Sequence, residues 1–254
     1  MTNIDFQRGA IDPSGCISNA WELVKRRIWL YIGVALLTTI LIGFIPFVSL
    51  FLTGPVMGGF VYLVLRDMRD EPVDFGMMFK GFEKFLPLML MGLIQAIPGI
   101  IYQALELVYD FSSIFGGSKT SDPNFFQSAV DPVQLTGFTV AFVIMMIGYI
   151  LFSILWSYAL IFAIPLIVEH EISIGDAIKL SFGAVFSNLG SLFVLGILGG
   201  LVALLGMLAL CVGVFAAIPV IMASQVFAYR QVFPIFGEPT PTPHGYQSIF
   251  GGDI

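Results

Sequence analysis

Residues 180–229 read LSFGAVFSNLGSLFVLGILGGLVALLGMLALCVGVFAAIPVIMASQVFAY, fifty positions without one Asp, Glu, Lys or Arg. A buried helix in a water-soluble protein rarely exceeds about 20 residues and keeps a polar face somewhere. At about 1.5 Å of rise per residue, some 20 residues cross a hydrocarbon core of about 30 Å, so this run holds two crossings. It divides into 189–208 and 210–229, with no charge in the turn between them.

Three further charge-free runs precede it, at 28–65, 85–105 and 132–168, and the four together take 146 of the 254 residues. Hydrophobic residues make up 57% of the chain and charged residues 11%, against roughly 45–50% and about 25% in typical globular proteins. The runs are continuous and rich in Leu, Ile, Gly and Ala, whereas a membrane β-barrel shows segments of about ten residues with alternating polarity. The predicted fold is therefore all-α, a polytopic transmembrane helix bundle. A net charge of −6 and a pI near 4.7 argue against nucleic acid as a partner. Cys16 and Cys211, the two cysteines, are too few for a disulfide framework or a four-ligand metal site.

Run 28–65 is about 57 Å long as one helix and reads as two spans, 28–45 and 47–65, meeting near Phe44-Ile45-Pro46. Residues 85–107 make the third span. Run 132–168 is too long for one upright helix and short for two; it is read as one crossing, 137–160, tilted or continued beyond the bilayer, with Pro165 bending its inner end. Six spans with both termini cytoplasmic place Arg8, Lys25, Arg26, Arg27, Arg66, Arg69, Lys80, Lys84, Lys179 and Arg230 inside and Lys119 alone outside. That split follows the positive-inside rule, and a seventh span would export Lys179 and Arg230. The domain layout is an N-terminal cytoplasmic segment 1–16, a transmembrane domain 17–232 with an outer loop 110–134, and a proline-rich cytoplasmic tail 233–254. Residues 1–27 contain Asp5, Asp12, Glu22 and three adjacent basic residues but no apolar core, so the first span is expected to serve as its own insertion signal. Trp29, Tyr31 and Tyr109 fall where interfacial aromatics belong.

The chain repeats itself. A slide of 157 positions pairs Ala20 with Ala177, Leu23 with Leu180, Trp29 with Phe186, Ile32 with Leu189 and Gly33 with Gly190. Pro55-Val56 matches Pro219-Val220, each followed by an arginine eleven positions after its proline, Arg66 and Arg230. Each unit is an amphipathic elbow, a helical hairpin and an arginine stop. Residues 74–84, DFGMMFKGFEK, form a third elbow.

Ala20-Trp21-Glu22-Leu23-Val24-Lys25, Gly54-Pro55-Val56-Met57-Gly58-Gly59, Glu71-Pro72-Val73-Asp74-Phe75, Phe79-Lys80-Gly81-Phe82, Pro165-Leu166-Ile167-Val168-Glu169 and Ala177-Ile178-Lys179-Leu180-Ser181 lie in order across about residues 15–232. They resemble a broad bacterial six-span membrane family of mostly unknown function, similar to the membrane domain fused to some glycerophosphodiester phosphodiesterases. The resemblance implies a topology and a location, the bacterial cytoplasmic membrane. No phosphodiesterase domain is attached here, so that activity is not implied.

Chemistry is sparse along the spans. Glu106, one turn before Asp110, is expected to face outer headgroups or water, because a charge in hydrocarbon is costly. His170 in Glu169-His170-Glu171 is expected to be a solvated loop histidine, three adjacent side chains being a poor ligand set for a metal. His244 stands alone in the tail. No HExxH, GxSxG, Walker or Rossmann pattern occurs. No catalytic, cofactor-binding or metal residues are assigned, and no cofactor is expected. Gly54-x-x-x-Gly58 and Gly196-x-x-x-Gly200 are read as close helix packing within the bundle, and Gln95, Gln103 and Gln225 as interhelical hydrogen-bonding groups. Ser18 to Ile28 and Ile174 to Ser187 are read as interfacial elbows that act first as topological anchors, with attraction of Lys25-Arg26-Arg27 to anionic headgroups as the alternative. Phe125-Phe126 in the outer loop and Tyr246, Ile249, Phe250 and Ile254 in the tail are potential docking points.

The resulting expectation is a non-catalytic multi-pass membrane protein, a structural or accessory subunit or a lipid-associated organiser of other membrane proteins. The expected partners are membrane lipids, other membrane proteins and a cytoplasmic partner reached through the tail. The alternative is a carrier of lipid or another mainly apolar small molecule, which Pro55, Pro98-Gly99, Pro219 and the parallel repeats permit.

Overall fold

The computed structural model describes residues 4–43, 46–115, 132–209 and 212–234. The turn at Phe44-Ile45, Cys211, most of the outer loop with Lys119 and Phe125-Phe126, and the tail from residue 235 with His244 lie outside the described residues. Among the described residues every regular element is helical.

The first elbow is α1, Pro13–Arg26. Asp12 caps it by accepting from the Ser14 N–H, and Pro13 takes the first helical position, where a missing N–H costs nothing. The helix thus starts five residues before the expected Ser18. It buries Cys16, Ala20, Leu23 and Val24, one face of a helix, and stops at Arg27, whose N–H turns back to the Val24 carbonyl at 3.2 Å. Then α2, Ile28–Gly43, continues for 16 residues, about 24 Å at the usual rise.

The second elbow has the expected bounds. α8, Ile174–Ser187, is capped by Ser173, buries Ala177, Ser181, Ala184 and Val185, and stops at Asn188, whose N–H returns to the Val185 carbonyl at 3.0 Å. α9, Leu189–Leu208, follows directly. The two stops have alike backbones, with φ −132° at Arg27 and −126° at Asn188. They lie 161 positions apart, one helical turn more than the slide of 157 suggested by residue types. At 161 the four buried positions of α1 fall on the four of α8, and buried Tyr31 and Val34 fall on buried Leu192 and Leu195. Burial reports the register more faithfully than identity, because hydrophobic residues substitute freely for one another.

Between the elbows lie α3, Pro46–Asp67, then a 3-10 helix, Phe75–Lys84, then α4, Phe85–Gln95, and α5, Ile97–Phe115. The third expected span is thus broken at Ala96. Pro98 lacks an amide hydrogen and its ring crowds the preceding turn, which ends α4. α6, Pro132–Ala159, is followed by a turn and by α7, Ala163–His170; α10, Val212–Val232, carries Pro219 inside it as α3 carries Pro55. α5 reaches Phe115 and α6 begins at Pro132, so helix takes both ends of the segment read as outer loop 110–134.

Among the described residues four stretches are long and apolar enough to cross a membrane: Ser49–Asp67, Val143–His170, Leu189–Leu208 and Gly213–Val232. A fifth qualifies if Phe75–Gln95 and Ile97–Ala104 count as one, and Ile28–Ile42 is apolar but short. The fourth expected crossing continues past its break into α7. At the break, buried Ser181 accepts from the Phe162 N–H at 3.3 Å and donates to the Ala159 carbonyl at 2.7 Å. One hydroxyl thereby serves both backbone groups that the interruption leaves open.

The chain forms two compact units, residues 1–94 with 158–254, and residues 95–157. In the smaller unit the Tyr149 hydroxyl donates to the Pro98 carbonyl at 3.0 Å and its ring lies 5.6 Å from that of Tyr102. In the larger, α3 lies against the 3-10 helix and α4 with almost nothing between the backbones. A Cβ on Gly54 or Gly59 would strike the carbonyl of Leu88 or Met78, and one on Gly81 would lie 2.5 Å from the Gly59 nitrogen. The first GxxxG motif therefore packs inside the bundle, backbone on backbone. The second does not: a Cβ on Gly200 would meet no atom within 4 Å, and Gly196 lies under the Tyr158 hydroxyl.

Gly59→Ala is expected to lower the thermal unfolding midpoint in detergent by the equivalent of about 1–3 kcal/mol, the cost of overpacking. Gly190→Ala, where a Cβ meets nothing within 4 Å, serves as the control and should leave the midpoint unchanged or raised.

Candidate functional site

One group of ionisable side chains in the larger unit, Arg69, Glu169 and Arg230, meets where α3, α7 and α10 end. Positive charge is favoured there, because helix C-termini carry partial negative charge. Glu169, at the end of α7, is the hub, its side chain only 10% exposed. Its Oε1 accepts from Arg230 Nη2 at 2.8 Å and from Arg69 Nη2 at 3.1 Å, and its Oε2 from the Tyr229 hydroxyl at 2.7 Å. Two guanidinium groups thus face one carboxylate, and Arg230 Nη1 is buried without a hydrogen-bond partner among the described residues. Arg230 also lies 5.9 Å from the Tyr229 ring centroid.

A second hub ties the first elbow to α3. Asp67, 1% exposed, accepts from the Tyr31 hydroxyl at 2.8 Å and pairs with Arg27 Nε at 3.3 Å. Arg26 pairs with Asp70 at 2.9 Å, and Arg66 binds Glu71 and stacks on Tyr62. A third polar knot holds the N-terminal segment. Asn188 Oδ1 accepts from the Ala10 N–H at 3.1 Å and its amide nitrogen donates to the Gln7 carbonyl at 3.1 Å. The Gln231 side-chain Oε1 accepts from the Asp12 N–H at 2.9 Å and from the Cys16 thiol at 3.4 Å, and the Gln7 N–H donates to the Val232 backbone carbonyl at 2.9 Å. Residues 7–12 are clamped on the far end of the chain.

The residues singled out in the sequence are scattered. Glu106 is exposed and accepts from the Tyr102 hydroxyl at 3.0 Å. His170 ends α7 and so is helical, not part of a loop, but the residue is exposed, with its Nε2 3.7 Å from Glu169. Glu171 turns outward instead, at φ +53°, and binds Lys84 at 2.8 Å. That hydrogen bond, with the attraction of the ammonium, holds the Glu171 carboxyl below its ordinary range. Three successive residues thus point to different neighbours. Among the described residues no three His, Cys, Asp or Glu side chains stand together as metal ligands do. Gln103 is exposed, and Gln225 lines a cavity between α9 and α10 in place of bridging them.

Asp67, Asn188 and Gln231 went unmarked in the sequence, and Glu169 was weighed only within a poor metal-ligand set, because Asp67, Glu169 and Gln231 border charge-free runs and Asn188 precedes an expected span, where a polar residue is normally solvated. The one available signal was the arginine stop shared by Arg66 and Arg230. No protein-family model, curated protein or solved structure matches this chain.

Glu169→Gln should destabilise the protein by about 3–5 kcal/mol, the usual cost of stranding buried charge, and adding Arg230→Met should recover part of that loss. Unfolding midpoints of the single and double variants check this. Burial, with Asp12 nearby, pushes the Cys16 thiol up to about 12. With such a value about one thiol in ten thousand is thiolate at pH 8, so it is inert. In a Cys211→Ala background, maleimide should modify Cys16 only after unfolding, as read by intact mass.

Proposed function

We propose that this chain is a non-catalytic, multi-pass protein of the bacterial cytoplasmic membrane, acting as an accessory subunit or lipid-associated organiser of other membrane proteins. The observation that carries the proposal is the placing of charge. The buried ionisable groups Asp67, Glu169 and Arg230 join helix to helix. The exposed charges of the elbows stand beside exposed aromatics: Trp21 and Trp29, 45% and 84% exposed, near Lys25 and Arg26, and Phe75 and Phe79 near Lys80. An indole so exposed at the start of an apolar helix fits the headgroup layer, where its ring lies in hydrocarbon and its N–H in water. Basic residues in that layer attract anionic lipids by about 1 kcal/mol each.

Six crossings with both termini cytoplasmic remain the preferred topology, built from three elbow-plus-hairpin units. Support for an even count comes from residues 7–12, held at the same end as Gln231 and Val232. Support for the duplication comes from the matched stops at Arg27 and Asn188 and the matched prolines in α3 and α10. α2 would be a short first span with its Trp29 end in the headgroups. The likeness to the bacterial six-span family agrees with this topology and is the basis for the location.

The carrier reading draws on one observation, the cavity beside Gly196 and Gly200. The two readings part in one measurement, native mass spectrometry of the protein extracted in lipid nanodiscs from its own membrane. The accessory role predicts a stoichiometric companion protein together with retained anionic lipid. A bundle without a companion that moves labelled lipid across proteoliposomes would replace it with a carrier, and turnover by the purified protein alone would overturn both.

A further inference from the structure

Between α9 and α10 lies a cavity of about 300 Å³. Leu192, Leu195, Ile161 and Ile221 give it an apolar wall, and Gly196, Gly199 and Gly200 leave one side of α9 bare. Two groups do not fit an apolar void. The Tyr158 hydroxyl lies over the bare Cα of Gly196, where any side chain would displace it, and the Gln225 amide lines the same space. Neither has a hydrogen-bond partner among the described residues. Ser224, beside them, is satisfied by the Ile221 carbonyl at 2.7 Å.

Depth narrows the choice of occupant. Both flanking helices are membrane-span candidates, so the medium around the cleft is acyl chain and not water. Gln225 is five residues from Arg230, about 7 Å along α10, and Gly196 is about 10 Å from the start of α9 at the elbow. The polar pair therefore lies just beneath the headgroup layer on the elbow side. Apolar lining cannot select a ligand there, because lipid tails are as apolar as leucine; selection falls to hydrogen bonds and fit. Tyrosine donates through its hydroxyl and glutamine through its NH₂, so one acceptor oxygen on an apolar molecule would serve both.

We propose that this cleft binds one ester-linked phospholipid of the leaflet on the elbow side, with an acyl chain along Gly196, Gly199 and Gly200 and an ester carbonyl accepting from Tyr158 and Gln225. The volume suits part of a chain and not a whole lipid, near the lower limit of small-molecule pockets. The proposal rests on the lipid-associated reading above and gives it a site. A membrane quinone offers the same carbonyl chemistry, and the test separates the two.

The test uses the full-length protein in nanodiscs of phosphatidylethanolamine and phosphatidylglycerol containing a trace of ester-linked phospholipid with a photoreactive diazirine in its chain. Adducts are mapped by mass spectrometry. Labelling should concentrate on 196–203 and 221–225, and fall at least about five-fold for the ether-linked analogue, the scale of one of the two hydrogen bonds it loses. Tyr158→Phe with Gln225→Leu should lose the same preference for ester over ether. Gly200→Leu, whose new side chain meets no atom within 4 Å of its Cβ, should fill the cleft and abolish the labelling. Protection of Cys16 from maleimide reports that each variant is folded. Equal labelling by ester and ether lipids, labelling unchanged by Gly200→Leu, or displacement of the lipid label by a ubiquinone analogue would overturn the proposal. A companion protein without cleft labelling sinks the cleft alone, and cleft labelling without a companion sinks the accessory role alone.

Discussion

A helix that stops beside hydrocarbon leaves amide and carbonyl groups with no water to turn to, and this chain stops its helices repeatedly. Each stop needs a local remedy. At Arg27 and Asn188 the stopping residue's own N–H returns to a carbonyl three residues back. Between α6 and α7 the remedy comes from a different helix, through Ser181. Asn188 goes further, serving its own helix through the Ala184 carbonyl while holding Gln7 and Ala10. The elbows are thus the places where the backbone's unmet demand recruits contacts distant in sequence, and the architecture hangs on them.

Charge follows the same logic. Water lies at the helix ends, so ionisable groups collect there, and the shortest way to satisfy them is with one another. Glu169 and Asp67 each draw partners from other segments, Arg69, Tyr229 and Arg230 in one case and Arg27 and Tyr31 in the other. Pairs such as Lys25–Glu22 and Lys80–Glu83 are exposed and contribute little. The difference lies in exposure, not in residue type. Glu22 and Glu169 look alike in a sequence, and only packing makes one an ornament of the surface and the other a fastener.

What could be read beforehand was whatever depends on composition along one helix. The bounds of α8 and α9 were legible because Ser173 marks a start and the apolar run marks a length. The start of α1 was missed although Asp12-Pro13 is an equally good signal, since it lies in a stretch already read as a tail. The break at Ala96 was signalled by Pro98-Gly99, but a proline near a span's middle is often absorbed as a kink. The slide of 157 and the 161 positions between the stops at Arg27 and Asn188 differ by one turn, because a sliding comparison rewards shared apolar letters whereas the stops follow burial. The hubs and the cleft were not legible at all. They are properties of which helices meet, and Gln225 shows the limit: its polarity was plain, but whether it faced a helix or a void was decided by the glycines of α9.

The clamp on residues 7–12 sets an order of events. The segment is synthesised well before its receptors, Asn188, Gln231 and Val232. Until α10 has been threaded into place, the amides of Gln7, Ala10 and Asp12 have no seat, and Cys16 lacks Gln231 above it. Closure of the clamp is then a late event in biogenesis and marks a completed bundle. A quality-control protease that grips exposed segments would find this one bare on every unfinished or mis-threaded copy, and covered on every finished molecule.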